Sequence, residues 1–359
     1  MKTKLVYVLT CAPEKYYIEQ ALMSVFSARH WNPDAYIVLI VDDLTNQLLV
    51  EQRAEILGYI SERIVVPFED DTLSMVYRSR WLKTSARRLV QGDILYIDSD
   101  TIIQRPLSGI DDFTCEVGAI LDSHIFLKDY HPSMYQVVKK KNALIGVDID
   151  AEDAYFNGGV IFARDTEASH QLFSLWHQYW MDSVKLGMLS DQPALAKANR
   201  DVGRIINRIP DVFNCIVYTQ NNFIRDAIVL HISSYQNPSY LFTDKVLEYV
   251  EKNGLTNKWL IDSIMNPCAT MLPFDSDVLH SNRKQRKLWV KEITRFSKGY
   301  GETIDASFAD FPMLSRIRNV VVWLFKIKWN GMAAKVWMQW KWLHVKHHKD
   351  AVKENVNMK

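Results

Sequence analysis

A short apolar strand that leads directly into two closely spaced aspartates constrains this chain more than any other feature. Ile94–Ile97 is a continuous apolar run, typical of a strand buried on both faces of a sheet. Asp98 and Asp100 follow where such a strand leaves the sheet, at the edge where open α/β sheets bind ligands. Alternation places both carboxylates on one side and Ser99 on the other. Because the carboxylates repel each other without a cation, the pair indicates a Mg²⁺ or Mn²⁺ ion that holds a diphosphate; a solvated turn is the alternative.

Strands and helices alternate along the chain before and after this motif. Apolar runs predict strands at 5–10, 36–41, 63–66, 117–121 and 228–230, with a further strand opened by the paired glycines Gly158 and Gly159. Apolar residues at helical spacing predict helices at 16–29, 48–57, 75–90 and 166–184, and another that ends near 198. This order predicts an α/β fold with a largely parallel, doubly wound central sheet flanked by helices. No GxGxxG follows the first strand, so the usual dinucleotide fingerprint is missing.

The C-terminal part of the chain has an unusual composition. The formal net charge is +1, yet the stretch 311–349 has no acidic residue and contains eight Lys or Arg and five Trp. Basic residues interspersed with Trp suit a segment that lies in the headgroup region of an anionic membrane, so we expect Pro312–Lys349 to bind such a surface. The same Trp residues could instead pack on the rest of the protein. A nucleic-acid contact is less favoured, because no recognised nucleic-acid module accompanies the stretch.

The cysteines and the N-terminus bear on the cellular compartment. The four cysteines are far apart and lack CxxC spacing, so we expect reduced, mostly buried thiols in a cytosolic protein. The first residues have too little apolar length for a signal peptide, and no stretch approaches the roughly 18 apolar residues of a membrane span. These features predict a cytoplasmic protein that is peripheral on the inner face of the cell membrane.

Several sequence motifs, and the order in which they follow one another, resemble those of retaining glycosyltransferases of the GT-A fold, especially family 8. The resemblance covers roughly residues 5–231. It rests on Arg80 before the Asp98-Ser99-Asp100 signature, on Tyr-Phe-Asn-Gly-Gly-Val at 155–160, on Asp191-Gln192 and on the late His231. It implies a metal-dependent hexosyltransferase that uses a nucleotide sugar, a UDP-sugar above all, with a glycan or lipid-linked glycan as acceptor and no nucleic-acid partner. Retention of configuration rests on the resemblance alone.

The resemblance also implies residue roles. Asp98, Asp100 and His231 would chelate Mn²⁺ (or Mg²⁺) on the donor diphosphate, and Asn157, Asp191 and Gln192 would flank the sugar ring. The chemistry of a diphosphate leaving group independently favours nearby cations, which Arg80 and Lys83 could supply. Glycines permit close approach of a ligand to the backbone. The predicted donor-binding set is Thr10, Arg80, Lys83, Asp98, Ser99, Asp100, Gly158 and Gly159.

The expected domain organisation follows from the same motifs. A GT-A catalytic domain would span 1–239, with the nucleotide-sugar half at about 1–105 and the acceptor half at about 106–239. A helical part would follow at 240–310, and the basic Trp-rich tail at 311–359. Two segments depart from the family pattern. The turn after the first strand is Thr10-Cys11-Ala12-Pro13-Glu14 rather than acidic, and no lysine occurs in Ser233-Ser234-Tyr235-Gln236-Asn237-Pro238. Many members of the family that the motifs resemble carry a lysine in this second segment, after the late histidine, and that lysine contacts the diphosphate. Here either another cation replaces it, or donor binding is weaker or different.

Structural interpretations compete with these roles. Arg80 and Lys83 could form the wet face of a helix, Asp191 could be only a helix cap, and His231 a structural histidine. Asp42-Asp43 could touch the nucleotide, although a solvated strand end is favoured. For the whole protein, the alternatives are a non-catalytic sugar- or membrane-binding protein on a degenerate scaffold and a haloacid dehalogenase-like phosphatase with Asp98 as nucleophile.

Overall fold

The structure, a computed structural model, describes residues 1–217, 224–232 and 240–267. Its strands are β1 (Lys4–Leu9), β2 (Ile37–Asp42), β3 (Glu62–Val66), β4 (Ile94–Ile97), β5 (Thr101–Ile103), β6 (Val117–Leu121), β7 (Phe156–Ala163), β8 (Ile206–Arg208), β9 (Cys215–Ile216) and β10 (Val229–His231). Its α-helices are α1 (Tyr17–Trp31), α2 (Asp43–Gln47), α3 (Met75–Leu89), α4 (Pro132–Ala143), α5 (Glu167–Lys185), α6 (Gln192–Asp201), α7 (Asp244–Asn253) and α8 (Lys258–Met265). Short 3₁₀ helices lie at Glu51–Gly58, Ser108–Asp112, Asp122–His124, Leu127–Asp129, Ile149–Ala151, Asp211–Asn214 and Tyr240–Phe242.

The central sheet has seven strands in the order β3-β2-β1-β4-β7-β6-β8. All neighbouring pairs are parallel except those of β7, which runs antiparallel to both β4 and β6. The predicted, largely parallel α/β sheet is therefore confirmed, with one reversed strand in its interior. This reversal places the first residues of β7 at the same edge as the last residues of β4 and β6.

A small second sheet brings a distant part of the chain to that edge. Its order is β5-β10-β9, and β10 pairs antiparallel with β5 so that His231 lies opposite Thr101. The backbone N–H of Ile232 donates to the carbonyl of Asp100 at 2.9 Å and extends the pairing. Since β5 begins directly after Asp100, this register fixes His231 beside the two aspartates.

The central strands are buried on both faces because alternate side chains enter two separate cores. In β1, Leu5, Tyr7 and Leu9 pack on the side that holds α1, while Val6 and Val8 pack on the side of α3 and α5. The second core is closed by Trp176 and Trp180, both fully buried. A strand buried on both faces needs a continuous apolar sequence, which explains why Ile94–Ile97 and Val117–Leu121 were predicted to the residue.

One predicted helix has a different form. The stretch predicted as a helix at 48–57 is a 3₁₀ helix, Glu51–Gly58, that follows the short α2. A break separates the two, because Glu51 has φ +48° and Val50 is extended, so the backbone cannot continue as one α-helix. The remaining predicted helices occur within two residues of their expected starts.

Some expectations concern parts of the chain that the structure does not describe. The basic stretch Pro312–Lys349, Cys268 and the segment Ser233–Pro238 lie outside the described residues. Within the described part, no helix is long and apolar enough to cross a membrane. Of the described cysteines, Cys11 and Cys215 are buried and Cys115 is partly buried. The proposed domain boundaries remain predictions.

Candidate functional site

Three potential metal ligands converge at the carboxyl edge of β4. One ligand atom from each of Asp98, Asp100 and His231 lies within 4.8 Å of the other two. The two aspartates occupy the turn between β4 and β5, and His231 ends β10. Their side chains are 23% and 27% exposed, so the carboxylates are accessible from solvent, while His231 is only 8% exposed.

Asp100 and His231 form an ion pair. The Nε2 atom of His231 lies 3.2 Å from Oδ1 of Asp100. Burial lowers the pKa of His231, but the Asp100 carboxylate outweighs burial and leaves that pKa above its ordinary value. Burial also raises the pKa of Asp100, and the neighbouring imidazole offsets this, so the pKa of Asp100 is lowered. A divalent cation would replace the proton of this pair, because both ligands bind metals in their deprotonated forms.

The imidazole of His231 fits beside the sheet only because residue 159 has no side chain. A Cβ atom at Gly159 would lie 2.3 Å from Cε1 and 2.7 Å from Nδ1 of His231. We expected a ligand to approach both glycines of the pair. The structure shows that the space beside Gly159 is taken by the imidazole. A Cβ at Gly158, in contrast, would make ordinary contacts with Lys83 and Asp191, at 3.5 and 3.9 Å.

A buried lysine links the two acidic parts of the site. Lys83 on α3 is 4% exposed, and its Nζ lies 3.1 Å from Oδ1 of Asp98 and 3.7 Å from Oδ2 of Asp191. Arg80, one turn earlier, places Nε 3.3 Å from Oδ1 of Asp191. The interpretation of these residues as the wet face of a helix is wrong for Lys83. Both cations belong to the same cluster as the potential metal ligands.

Asp191 occupies the N-cap position of α6, but its side chain makes no capping hydrogen bond. Its carboxylate instead faces the two cations, so the interpretation of Asp191 as only a cap is wrong. Its backbone carbonyl accepts a hydrogen bond from Nε1 of Trp176 at 2.9 Å, which anchors the helix start to the core. The next residue, Gln192, donates from Nε2 to the carbonyl of Phe156 at 2.9 Å, at the start of β7.

Asn157 lies in β7, where it is surrounded by polar partners. Its Nδ2 donates to Oδ1 of Asp122 at 3.1 Å, and its Oδ1 accepts from the backbone N–H of Gly159 at 2.8 Å. Asp122 directly follows β6 and was not predicted as a site residue, although an acidic residue at a strand end was the signal that identified Asp98.

The remaining predicted donor-binding residues lie around the same edge. Thr10 follows β1, and its hydroxyl donates to the carbonyl of Met75 at 3.0 Å, next to the start of α3. Ser99 is partly buried in the turn between the two aspartates. Tyr96 was not predicted, yet its hydroxyl donates to Oδ1 of Asp98 at 2.5 Å. Burial, and then Asp98, raises the pKa of Tyr96 well above its ordinary value, so the phenol keeps its proton.

The aspartates at the end of β2, Asp42 and Asp43, have a structural role that the sequence did not reveal. Asp42 is fully buried, accepts a hydrogen bond from the N–H of Thr45 and pairs with Arg78 at 3.0 Å. Asp43 pairs with the same guanidinium at 2.9 Å. The favoured interpretation of this pair as a solvated strand end is therefore wrong for Asp42. Arg78 is itself fully buried, so this cluster fixes α3 to the sheet next to the site.

Comparison with known proteins gives structural similarity without sequence similarity. Neither a protein-family model nor a curated protein matches the chain. The galactosyltransferase LgtC, solved with donor and acceptor sugar analogues, aligns over 73% of this chain and 100% of its own, with a TM-score of 0.47 and 16% identity. Mouse xyloside xylosyltransferase 1 aligns over 66% of this chain and 99% of its own, with a TM-score of 0.44 and 13% identity. The glycosyltransferase GlyE of Streptococcus pneumoniae TIGR4 aligns over 74% of this chain and 62% of its own, with a TM-score of 0.44 and 17% identity.

Proposed function

We propose that this protein is a metal-dependent glycosyltransferase that moves a sugar from a nucleotide diphosphate sugar, a UDP-sugar above all, to a glycan or lipid-linked glycan. One observation carries the proposal: the convergence of Asp98, Asp100 and His231 at the carboxyl edge of the sheet, next to the buried ammonium of Lys83. Two carboxylates and an imidazole suit Mn²⁺ or a similar divalent cation. A partly exposed site at this edge, with the cationic side chains of Arg80 and Lys83 beside the potential metal ligands, suits a diphosphate.

The metal ligands and the lysine would act on the same leaving group. When bound, the divalent ion would neutralise charge that develops on the departing nucleoside diphosphate. Lys83 lies 3.1 Å from the metal ligand Asp98, so its ammonium is within reach of diphosphate oxygens held at that ligand. Lys83 would thereby supply the positive charge that a lysine after the late histidine supplies in the family that the motifs resemble. Arg80 adds a second cation and remains partly exposed.

The sugar would lie on the other side of this cluster. Asp191 is fixed between Arg80 and Lys83, and its carboxylate would orient sugar hydroxyls near the anomeric carbon. Gln192 would define the floor of the site through its bond to the start of β7. The bond from the anomeric carbon to the diphosphate breaks, the acceptor oxygen bonds to that carbon, and the acceptor hydroxyl passes its proton to the departing diphosphate. We propose retention of configuration, which follows from the sequence resemblance.

The acceptor is proposed from the composition of the tail. The eight basic residues and five Trp of 311–349 suit attachment to an anionic membrane surface, where Trp favours the interface and Lys and Arg favour the headgroups. An acceptor at the inner face of the cell membrane, such as a lipid-linked glycan, would suit this attachment.

The proposal is tested by the loss of one metal ligand. The full chain is incubated with nucleotide sugars that differ in base and sugar, and the release of nucleoside diphosphate is measured with and without Mn²⁺. We expect Asp100→Asn to abolish Mn²⁺-dependent release, because an amide binds a divalent cation far more weakly than a carboxylate. The matched control is Asp112→Asn, which changes an exposed aspartate away from the site. Full turnover by Asp100→Asn would refute the metal assignment.

A further inference from the structure

A chain of hydrogen bonds runs from a carboxylate to the far side of the His231 ring. Nδ2 of Asn157 donates to Oδ1 of Asp122 at 3.1 Å, and Nδ2 of Asn214 donates to Oδ1 of Asn157 at 3.0 Å. Oδ1 of Asn214 then lies 3.0 Å from Nδ1 of His231. Asn214 is completely buried, at the end of the 3₁₀ helix Asp211–Asn214 that leads into β9. These hydrogen bonds therefore join β6, β7 and β9 behind the potential metal ligands.

The chemistry of Asp122 and Asn157 fixes which atom donates in each of these hydrogen bonds. An ionised Asp122 can only accept, so the group of Asn157 that faces it must be the amide NH₂. The backbone N–H of Gly159 can only donate, and it lies 2.8 Å from the other end of Asn157, which must therefore be the carbonyl oxygen. Two independent partners thus exclude the flipped amide of Asn157.

The same argument fixes the orientation of the Asn214 amide and the position of the proton on His231. Because Asn157 presents its oxygen, Asn214 must present its NH₂ group there and its oxygen to His231. A flipped Asn214 would place two carbonyl oxygens 3.0 Å apart with no proton between them. The carbonyl oxygen of Asn214 can only accept, so Nδ1 of His231 must carry a proton.

We infer that Asn214 is a positioning residue that keeps the proton of His231 on Nδ1 and leaves Nε2 as the ligand atom. Nε2 is the atom that lies 3.2 Å from Asp100, and in the ion pair it carries the second proton of the ring. In the neutral ring the single proton stays on Nδ1, because Asn214 is completely buried and held by Asn157, whereas Asp100 is partly exposed and can turn to water. Nε2 then directs its lone pair into the cluster. The inference rests on the proposed function in that the ligand is a divalent metal ion. Asp122 orients the amide of Asn157, and Asn157 in turn orients the amide of Asn214. The side chain of Asn157 therefore helps to hold His231, in addition to any contact with the sugar.

The tautomer is measured directly on the full chain without metal. With ¹⁵N-labelled histidine, long-range ¹H–¹⁵N spectra at alkaline pH, where the ring is neutral, separate the Nδ1–H from the Nε2–H form. The His231 signals are identified by their loss in His231→Gln. We expect the Nδ1–H form. An Nε2–H form in the unaltered protein would overturn the inference, and this measurement requires no variant of Asn214 to fold.

A variant pair tests the role of Asn214 itself. Asn214→Ala should move His231 toward the Nε2–H form and weaken Mn²⁺ binding in calorimetry by about 10- to 100-fold, the usual effect of losing such a supporting partner. The control is Asn142→Ala, which removes another completely buried asparagine whose amide donates within α4 and to Tyr155. It should change neither readout. An Asn214→Ala protein with the original tautomer and affinity would overturn the inference. Failure of the unaltered protein to bind Mn²⁺ would instead defeat the proposed function, and the tautomer would still decide the inference.

Discussion

Replacing Gly159 by alanine should displace His231, whereas the same change at Gly158 should not. The new Cβ at residue 159 would lie 2.3 Å from Cε1 of His231, while non-bonded carbons pack no closer than about 3.5 Å. The imidazole or the strand must therefore move by about 1 Å. The ring cannot do so and keep both the 3.0 Å contact with Asn214 and its approach to Asp100.

The size of the effect follows from two opposing terms. Overpacking in a well-packed interior costs about 1–3 kcal/mol. Replacement of glycine by alanine returns about 0.4–1 kcal/mol, because the unfolded chain becomes less flexible. We expect Gly159→Ala to lower the free energy of unfolding by about 1–2 kcal/mol and to weaken Mn²⁺ binding by about tenfold or more.

Gly158→Ala is the matched control for this prediction. Its Cβ would meet Lys83 Nζ at 3.5 Å, an ordinary contact, so its stability should stay within about 0.5 kcal/mol of the original. The free energy of unfolding is measured by urea denaturation, and Mn²⁺ affinity by calorimetry. Equal stability and equal Mn²⁺ affinity in the two variants would refute the placement of His231 against residue 159.

Three further predictions concern other parts of the protein. Lys83→Met should tighten Mn²⁺ binding by about tenfold in calorimetry while lowering donor turnover, because the ammonium 3.1 Å from Asp98 would compete with the metal and would also bind the proposed diphosphate. Weaker Mn²⁺ binding would contradict this. Burial, and then Arg88, lowers the pKa of His177 from 6.5 to about 4, so the unfolded chain binds more protons between these values. The contribution of His177 to the free energy of unfolding is therefore complete above pH 6.5 and falls as the pH drops toward 4. We expect a loss on the order of 1 kcal/mol near pH 5, because the ring is partly exposed. His177→Gln should flatten this pH dependence in urea denaturation. Removing residues 312–359 should abolish sedimentation with anionic liposomes, and unchanged binding would refute the membrane role of the tail.

The sequence predicted those parts of the fold that depend on local patterns. Strands buried on both faces, such as β4 and β6, need continuous apolar runs, which are visible in the sequence. Strand direction leaves no such trace, so the reversal of β7 could not be predicted. The break before Glu51 also has no composition signal, because a positive φ at a glutamate depends on its surroundings.

The same distinction applies to the site. Asp98 and Asp100 stand out because they follow a buried strand, and His231 because it ends another. The partners of these residues depend on long-range packing. Nothing near Asn214 or Tyr96 in the sequence indicates that their side chains contact His231 and Asp98. In the sequence, Lys83 cannot be distinguished from a solvated lysine on an amphipathic helix. Only the packing of α3 against the sheet places it next to Asp98.

Binding of a donor that depends on the metal tests the central claim most directly. Thermal unfolding of the full chain is followed with a panel of nucleotide sugars, with and without Mn²⁺, beside Asp100→Asn. A ligand that binds only the folded state stabilises it by about 2.7 kcal/mol at a hundredfold excess over its Kd. We expect one nucleotide sugar, a UDP-sugar above all, to raise the unfolding temperature only with Mn²⁺ and only in the protein that retains Asp100. A folded protein whose unfolding temperature no donor changes, with or without Mn²⁺, would contradict the proposed glycosyltransferase.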